Sequence, residues 1–371
     1  MIRFYLILLL FLISLLSVIK APAYYFWLLA VGVTEYPLIF GGIVVIILLT
    51  GFWVQKYQLE GTILGLVTFV IFLSPILRAY WIAKDIKPVM ARAFEVEQNN
   101  LTPFSFLSLF SSDKIIPHRT LTYKIYKDTS LNLDYYPSQV TGNKPCIIVV
   151  HGGSWSSGDS KQLPELNTRL AVKGYNIAAI NYRMAPKYKT PAPVEDIKAA
   201  LIYLKENAVE LHIDTAKFVL LGRSAGAQIA LLAAYTLHEP SLKGVIDFYG
   251  PADMVWGYSV PSNPLVMDSR KVMVNYIGGT YNRIPKKYVV CSPIEFVSRQ
   301  TVPTLIIHGD NDVLVAPEHS RRLNIKLQEN RIKHYLLKLP WATHGFDFNI
   351  YGPGGQLSTY AVETFLNTIT K

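Results

Sequence analysis

Charge is nearly absent from the first 83 residues. Of 36 Lys/Arg and 26 Asp/Glu in 371 residues, only Arg3, Lys20, Glu35, Lys56, Glu60 and Arg78 fall there. The rest of the chain is charged at ordinary density, so the two parts face different solvents. With 51% hydrophobic residues, the chain is neither disordered nor, by its sequence, wholly water-soluble. Three uncharged apolar segments stand out: Phe4–Ile19, Leu38–Val54 and Gly61–Leu77, the last running on through Arg78 to Ala83. Hydrocarbon offers backbone groups no partners, so a spanning segment is helical and needs about 20 mostly apolar residues. The second and third segments meet that once Trp53, Tyr57, Tyr80 and Trp81 are counted as interfacial aromatics. The short linker Gln55–Glu60 makes them an antiparallel pair. The first segment is slightly short. Ala21-Pro22-Ala23 after it reads as a signal-peptidase site or, with Lys20 beside it, as the end of a retained span. Tyr24–Val33 either lies in the membrane interface or extends that span. The expectation for residues 1–83 is a membrane anchor of two to three transmembrane helices, with a buried helical subdomain as the alternative. Arg78, Lys84, Lys87 and Arg92 outnumber Arg3 and Lys56 across the third span, which favours a cytoplasmic C-terminal domain.

Residues 84–114 read as an amphipathic and apolar linker. Asp85–Glu97 mixes charge with Val89, Met90, Ala93 and Phe94, as a surface helix does. Leu101–Phe110 holds Phe104, Phe106, Leu107, Leu109 and Phe110, and so requires cover. It is a lid over a pocket, a segment resting on lipid, or simple packing against the domain. The net charge of +10 has no basic block behind it, so nucleic acid is not an expected partner. Cys146 and Cys291 are too few for a disulfide framework and read as buried free thiols, with a single bridge as the alternative.

From residue 115 the pattern changes. Leu121–Tyr126 and Leu131–Tyr136 read as paired strands. Short apolar runs follow at Cys146–Val150, Asn176–Ile180, Phe218–Leu221, Val245–Tyr249, Thr304–Ile307 and His334–Leu339. Helical patterns at Leu163–Lys173, Pro193–Asn207, Ala225–Leu237 and Pro317–Asn330 separate them. Fully apolar strands alternating with helices predict an α/β domain over 115–371: a mostly parallel sheet of about eight strands, covered on both faces. Residues 251–300 exceed one crossover and read as an insertion near the active-site face.

Four motifs fall at carboxyl ends of strands, where open α/β sheets collect function. Gly222-Arg223-Ser224-Ala225-Gly226 lies between a strand and a helix. There the glycines let the two crowd together while Ser224 is held at a sharp exposed turn. The helix N-terminus then favours negative charge developing at the serine. His151-Gly152-Gly153-Ser154-Trp155 follows a buried strand, so the N–H groups of Gly153 and Ser154 converge with that of Ala225 as an oxyanion hole. His308-Gly309-Asp310-Asn311-Asp312 offers two acids, Asp310 and Asp312, to orient a histidine. Of eight histidines, His344 alone sits in the loop after the last strand. His151 and His308 read as loop-orienting groups. The order serine, acid, histidine is the one this kind of sheet uses for a nucleophile, its base and the base's partner.

The sequence resembles the α/β-hydrolase superfamily, in the esterase branch similar to hormone-sensitive lipase and the bacterial feruloyl-esterase-like (BD-FAE) carboxylesterases. The resemblance covers about residues 120–371. It rests on His151–Trp155, Asn181-Tyr182-Arg183-Met184-Ala185-Pro186, Gly222–Gly226, Asp312 and His344. It implies Ser224 as nucleophile, His344 as base and Asp312 as acid, with Tyr182, Arg183 and Asp196 structural. Ser154 replaces the third glycine of the usual loop, and Ala227 follows Gly226 where a further glycine is common. No metal or organic cofactor is implied. The expected activity is hydrolysis of carboxylic esters, lipid-like or acylated, through an acyl-enzyme, with membrane lipids as a partner. Acyl transfer to another alcohol is the alternative, followed by a peptidase and a non-catalytic ligand receptor. The sequence leaves oligomeric state open.

Overall fold

The computed structural model describes every residue except 54, 55, 99 and 113, so the predicted end of the second segment at Val54 and the start of the linker at Gln55 lie outside the described residues. Eight strands form one sheet: β1 (Arg119–Ile125), β2 (Ser130–Tyr136), β3 (Lys144–Val150), β4 (Asn176–Ile180), β5 (Ile213–Arg223), β6 (Leu242–Phe248), β7 (Thr304–Gly309) and β8 (His334–Leu339). Their order is β1-β2-β4-β3-β5-β6-β7-β8. The first two strands are antiparallel to their neighbours and the rest run parallel. Cys146–Val150 and Phe218–Arg223 are wholly buried because helices cover both faces. Two apolar cores result, one on each side. Both cysteines are free and buried.

Four helices precede the sheet: α1 (Ile2–Ser14), α2 (Tyr24–Glu35), α3 (Pro37–Leu49) and α4 (Gln58–Phe94). Among the described residues, only α4 is long and apolar enough to cross a membrane alone. The pair α2 and α3 passes the same test only with a bend of 85°, and the first apolar helix, Ile2–Ser17, is shorter. α1, α3 and α4 lie against one another. Arg3 closes the far end of this bundle, its Nη2 donating to Thr62 Oγ1 at 2.9 Å and its Nη1 to the Gln58 carbonyl at 3.2 Å.

The expected break between an anchor ending at residue 83 and a separate surface helix does not occur. α4 runs through both, because Ile86, Met90 and Phe94 continue its buried stripe. That stripe docks on the last helix, α12 (Pro353–Ile369), where the Phe94 and Phe365 rings are 5.1 Å apart. Nor is 101–110 a lid. Ser105 N–H donates to Gln356 Oε1 at 2.8 Å, which holds the segment against α12. The segment over the loops that follow β6 and β8 is α2. Trp27 Nε1–H donates to the His344 carbonyl at 2.9 Å, Tyr24 N–H to the Leu265 carbonyl at 3.1 Å, and Asn263 Nδ2–H to the Pro22 carbonyl at 3.1 Å. Glu35, 1% exposed, fastens the other end by accepting the Gly354 N–H at 3.0 Å, at the start of α12. Burial pushes the Glu35 carboxyl pKa up to about 8, although the Gly354 and Gly355 N–H groups pull it back down.

The helices between and after the strands are α5 (Pro164–Val172), α6 (Ala192–Glu206), α7 (Ala225–Thr236), α8 (Met254–Ser259), α9 (Ser269–Ile277), α10 (Pro285–Val290) and α11 (Glu318–Glu329), then α12. α8, α9 and α10 lie within residues 251–300.

Candidate active site

Register brings the loops together. Val150 of β3 pairs with Gly222 of β5, so the loop after β3 lies beside Ser224. Gly309 of β7 pairs with Leu339 of β8, which sets the loops carrying Asp312 and His344 side by side. Ser224 joins β5 to α7 at φ 53°, ψ −121°, a conformation L-residues seldom adopt and one that concentrates at functional sites. The flanking glycines make that turn possible. A Cβ at Gly226 would overlap the carbonyl oxygens of Val150 and His151, and one at Gly222 would overlap the backbone of Gly226 and Ala227.

The three side chains singled out in the sequence meet. His344 Nε2 lies 2.9 Å from Ser224 Oγ, and His344 Nδ1 lies 2.6 Å from Asp312 Oδ2. Asp312 Oδ1 accepts the N–H groups of Leu314 and Val315 at 2.8 and 2.9 Å. Full burial pushes the Asp312 carboxyl pKa up, but the charges and hydrogen bonds of His344 and His308 outweigh that and hold it well below the usual carboxylate range. His308 Nδ1 faces Ser320 Oγ at 2.6 Å, while its Nε2 faces both Asp312 Oδ2 and the Val315 carbonyl at 3.1 and 3.0 Å. Two acceptors on Nε2 assign the proton there, so His308 supports Asp312. Asp310 is elsewhere engaged, taking Arg321 Nη2 at 2.9 Å.

The Gly153 and Ser154 amides donate to no protein group among the described residues. The neighbouring Gly152 N–H is occupied by Gln162 Oε1 at 2.7 Å. Gly153 at φ 122° and Ser154 at φ 53° turn the loop back on itself, and Ala225 opens α7. His151 stacks on Tyr182 at 4.4 Å, outside the relay. Arg183 Nε donates to Asp196 Oδ1 at 2.8 Å and braces the 182–196 segment.

Sequence reasoning missed two partners. Arg223, 1% exposed, gives its Nε–H to Asp347 Oδ2 at 2.5 Å, and Tyr249 donates its hydroxyl to Asp347 Oδ1 at 2.5 Å. The Tyr249 ring in turn lies 4.3 Å from the His344 ring, which fixes one face of the imidazole. An arginine between the elbow glycine and the serine was the available signal. Trp27 was the other, visible only as one more aromatic in an apolar run.

His319 lies near the site with Nδ1 accepting the Asp253 N–H at 3.3 Å. Burial, and then the His308 and Arg322 charges, lower its pKa from 6.5 to about 3. The unfolded chain binds this proton below pH 6.5 and the folded one does not. Stability from His319 is therefore complete above the unfolded value and is lost as pH falls toward about 3, at on the order of 1 kcal/mol per pH unit. Denaturation midpoints measured between pH 7 and 5 should fall, and His319→Gln should flatten that slope.

A model of the BD-FAE family matches residues 133–327, a span that takes in Ser224 and Asp312. The chain belongs to that family. Its histidine comes from beyond the matched span. This BD-FAE protein is 30% identical over 240 residues to Esterase LipC of Mycobacterium tuberculosis, covering 61% of this chain and 58% of that protein. It is 29% identical over 241 residues to the probable carboxylic ester hydrolase LipM of the same organism, covering 61% and 55%. The chain thus spans less than two thirds of the length of these relatives. A hyperthermophilic esterase from the archaeon Pyrobaculum calidifontis superposes with a TM-score of 0.60 at 19% identity, covering 80% of this chain and 99% of that one. That likeness, with the mostly parallel sheet, shows the α/β-hydrolase fold.

Proposed function

We propose that this BD-FAE protein is a membrane-anchored serine hydrolase that cleaves carboxylic esters through an acyl-enzyme on Ser224. The observation that carries this reading is the unbroken relay from Ser224 Oγ through His344 to Asp312, at 2.9 and 2.6 Å, beside free amides at Gly153 and Ser154. Ser224 Oγ attacks the ester carbonyl carbon as its proton passes to His344 Nε2. Asp312 holds the proton on Nδ1 and stabilises the imidazolium. The oxyanion rests on the N–H groups of Gly153, Ser154 and Ala225, each such donor being worth about 10²–10³ in rate. The carbonyl carbon–oxygen bond then breaks, and the departing alkoxide takes the proton from Nε2. Water repeats the sequence on the acyl-enzyme and frees the acid. The relatives, an esterase and a probable carboxylic ester hydrolase, agree with this chemistry.

The anchor consists of Ile2–Ser17, α3 with the turn after it, and α4 up to about residue 78, with α2 lying at the membrane surface. Outward-facing Leu9, Leu12, Ile39, Ile46, Leu66 and Val70 support this, since such a continuous apolar exterior suits lipid better than water. The cation count across these spans favours a cytoplasmic catalytic domain. A site under an apolar, surface-lying helix suits lipid-like or acylated esters. Labelling by a fluorophosphonate probe at Ser224, turnover of p-nitrophenyl acetate, and retention in membranes after alkaline carbonate are the expected results. No labelling and no turnover overturn the hydrolase; release by carbonate overturns the anchor.

A further inference from the structure

We propose that the large apolar part of the substrate is its alcohol, held beneath α2, and that a shorter acyl group occupies a separate cavity; this rests on Ser224 being the acylated residue. Two cavities meet at Ser224 and Ser154. One, of about 700 Å³, is roofed by α2 through Trp27 and Val31 and is bordered by His344. The other, of about 410 Å³, lies toward the 251–300 segment and is bordered by Ala225, Met273 and His319. His344 borders only the first of them, and Ala225 only the second.

The chemistry orients the ester between them. When the acyl carbon bonds to Ser224 Oγ, its bond to the alkoxide oxygen breaks. That oxygen takes the proton His344 Nε2 removed from the serine, so it must lie within hydrogen-bond reach of Nε2. The alcohol therefore leaves through the cavity His344 borders. The acyl substituent, its carbonyl oxygen turned to the amides, extends to the Ala225 side.

The two cavities differ in kind. Among the described residues no carboxylate borders the α2 cavity, and its one charged neighbour, Arg223, is turned to Asp347. Its rim is Leu28, Tyr36 and Phe348, exposed by 45, 37 and 57%, and the outer face of α2 beyond it shows Tyr25 and Phe26. A chain leaving this rim meets apolar surface at the level where α3 begins, so a long alcohol reaches lipid without crossing water. The acyl cavity is bordered by Lys20, Ser262, Asn263 and His319, which suits a shorter and more polar acid.

The test uses the full chain in detergent micelles with two isomeric esters, dodecyl acetate and ethyl dodecanoate, which differ only in the side that carries the chain. Dodecyl acetate should have the higher kcat/KM by at least about tenfold, since each methylene in an apolar pocket counts toward such a ratio. Val31→Trp, which fills the α2 cavity, should lower the ratio about tenfold. Met273→Trp, on the acyl side, should raise it. A wild-type ratio at or below one overturns the proposal, as do shifts in the same direction by both variants. If Val31→Trp does not fold, the wild-type ratio and Met273→Trp still decide. Hydrolysis of p-nitrophenyl acetate with an inverted ratio refutes this orientation alone; loss of both turnover and probe labelling refutes the hydrolase reading beneath it.

Discussion

Ser224→Ala and His344→Ala should each lower kcat on p-nitrophenyl acetate by about 10⁶, and the double variant should lose no more than either alone, because groups that act as one unit are not additive. In the proposed mechanism Ser224 supplies the attacking oxygen and His344 accepts its proton across 2.9 Å. Either removal leaves the other without a task. What survives is binding and the oxyanion amides, which by themselves accelerate the reaction by about 10³–10⁴ over water. The Ser224 substitution is also mild for the fold, whereas His344→Ala takes a partner from the buried Asp312 carboxylate and needs its folding checked beside its rate. The Ser224 side chain makes no hydrogen bond other than that to His344 among the described residues, and the turn is held by its own N–H to the Phe248 carbonyl at 2.9 Å. A strictly additive double loss, or a loss under a hundredfold in Ser224→Ala, overturns the assignment.

The catalytic loops were legible because their signals are local. Gly222–Gly226 and His151–Trp155 each follow a buried strand, and the register at Val150 and Gly222 then fixes their meeting without further information. Seven of the strands and four helices follow from the same alternation within a few residues, but β5 begins earlier, at Ile213, which pairs with Lys144 of β3 before the polar Asp214–Lys217 stretch that hides the strand's start in the sequence. α12 was not predicted. It opens on Pro353-Gly354-Gly355, which reads as a turn, and it buries polar Ser358, Thr359 and Glu363 along with its apolar residues. The role of α2 was illegible for another reason. An apolar run reads the same whether lipid or protein covers it, and the Trp27–His344 contact joins residues 317 apart. For the same reason residues 101–110 were as plausible a lid as residues 24–35; only tertiary placement separates them.

Asp312→Asn should lower kcat by about 10⁴ with little change in KM, an effect of tautomer and not of folding. The two Asp312 oxygens are not equivalent. Oδ1 accepts two backbone N–H groups, from Leu314 and Val315, and an amide nitrogen there would face two donors. The carboxamide oxygen therefore keeps the Oδ1 position, and the NH₂ takes the place of Oδ2, 2.6 Å from His344 Nδ1. It then donates to Nδ1 and forces the imidazole proton onto Nε2, where it points at Ser224 Oγ. A base already protonated on that nitrogen cannot take the serine's proton. The same NH₂ meets the Nε2–H of His308, which now keeps only the Val315 carbonyl. Asp310→Asn, by contrast, loosens a half-buried pair with Arg321 that touches neither Ser224 nor His344 and should leave kcat within about twofold, since pairs so open to water contribute little. Measured on p-nitrophenyl acetate, with fluorophosphonate labelling of Ser224 slowed in parallel, a loss below tenfold at Asp312 or an equal loss at Asp310 would assign the imidazole's partner to a different group.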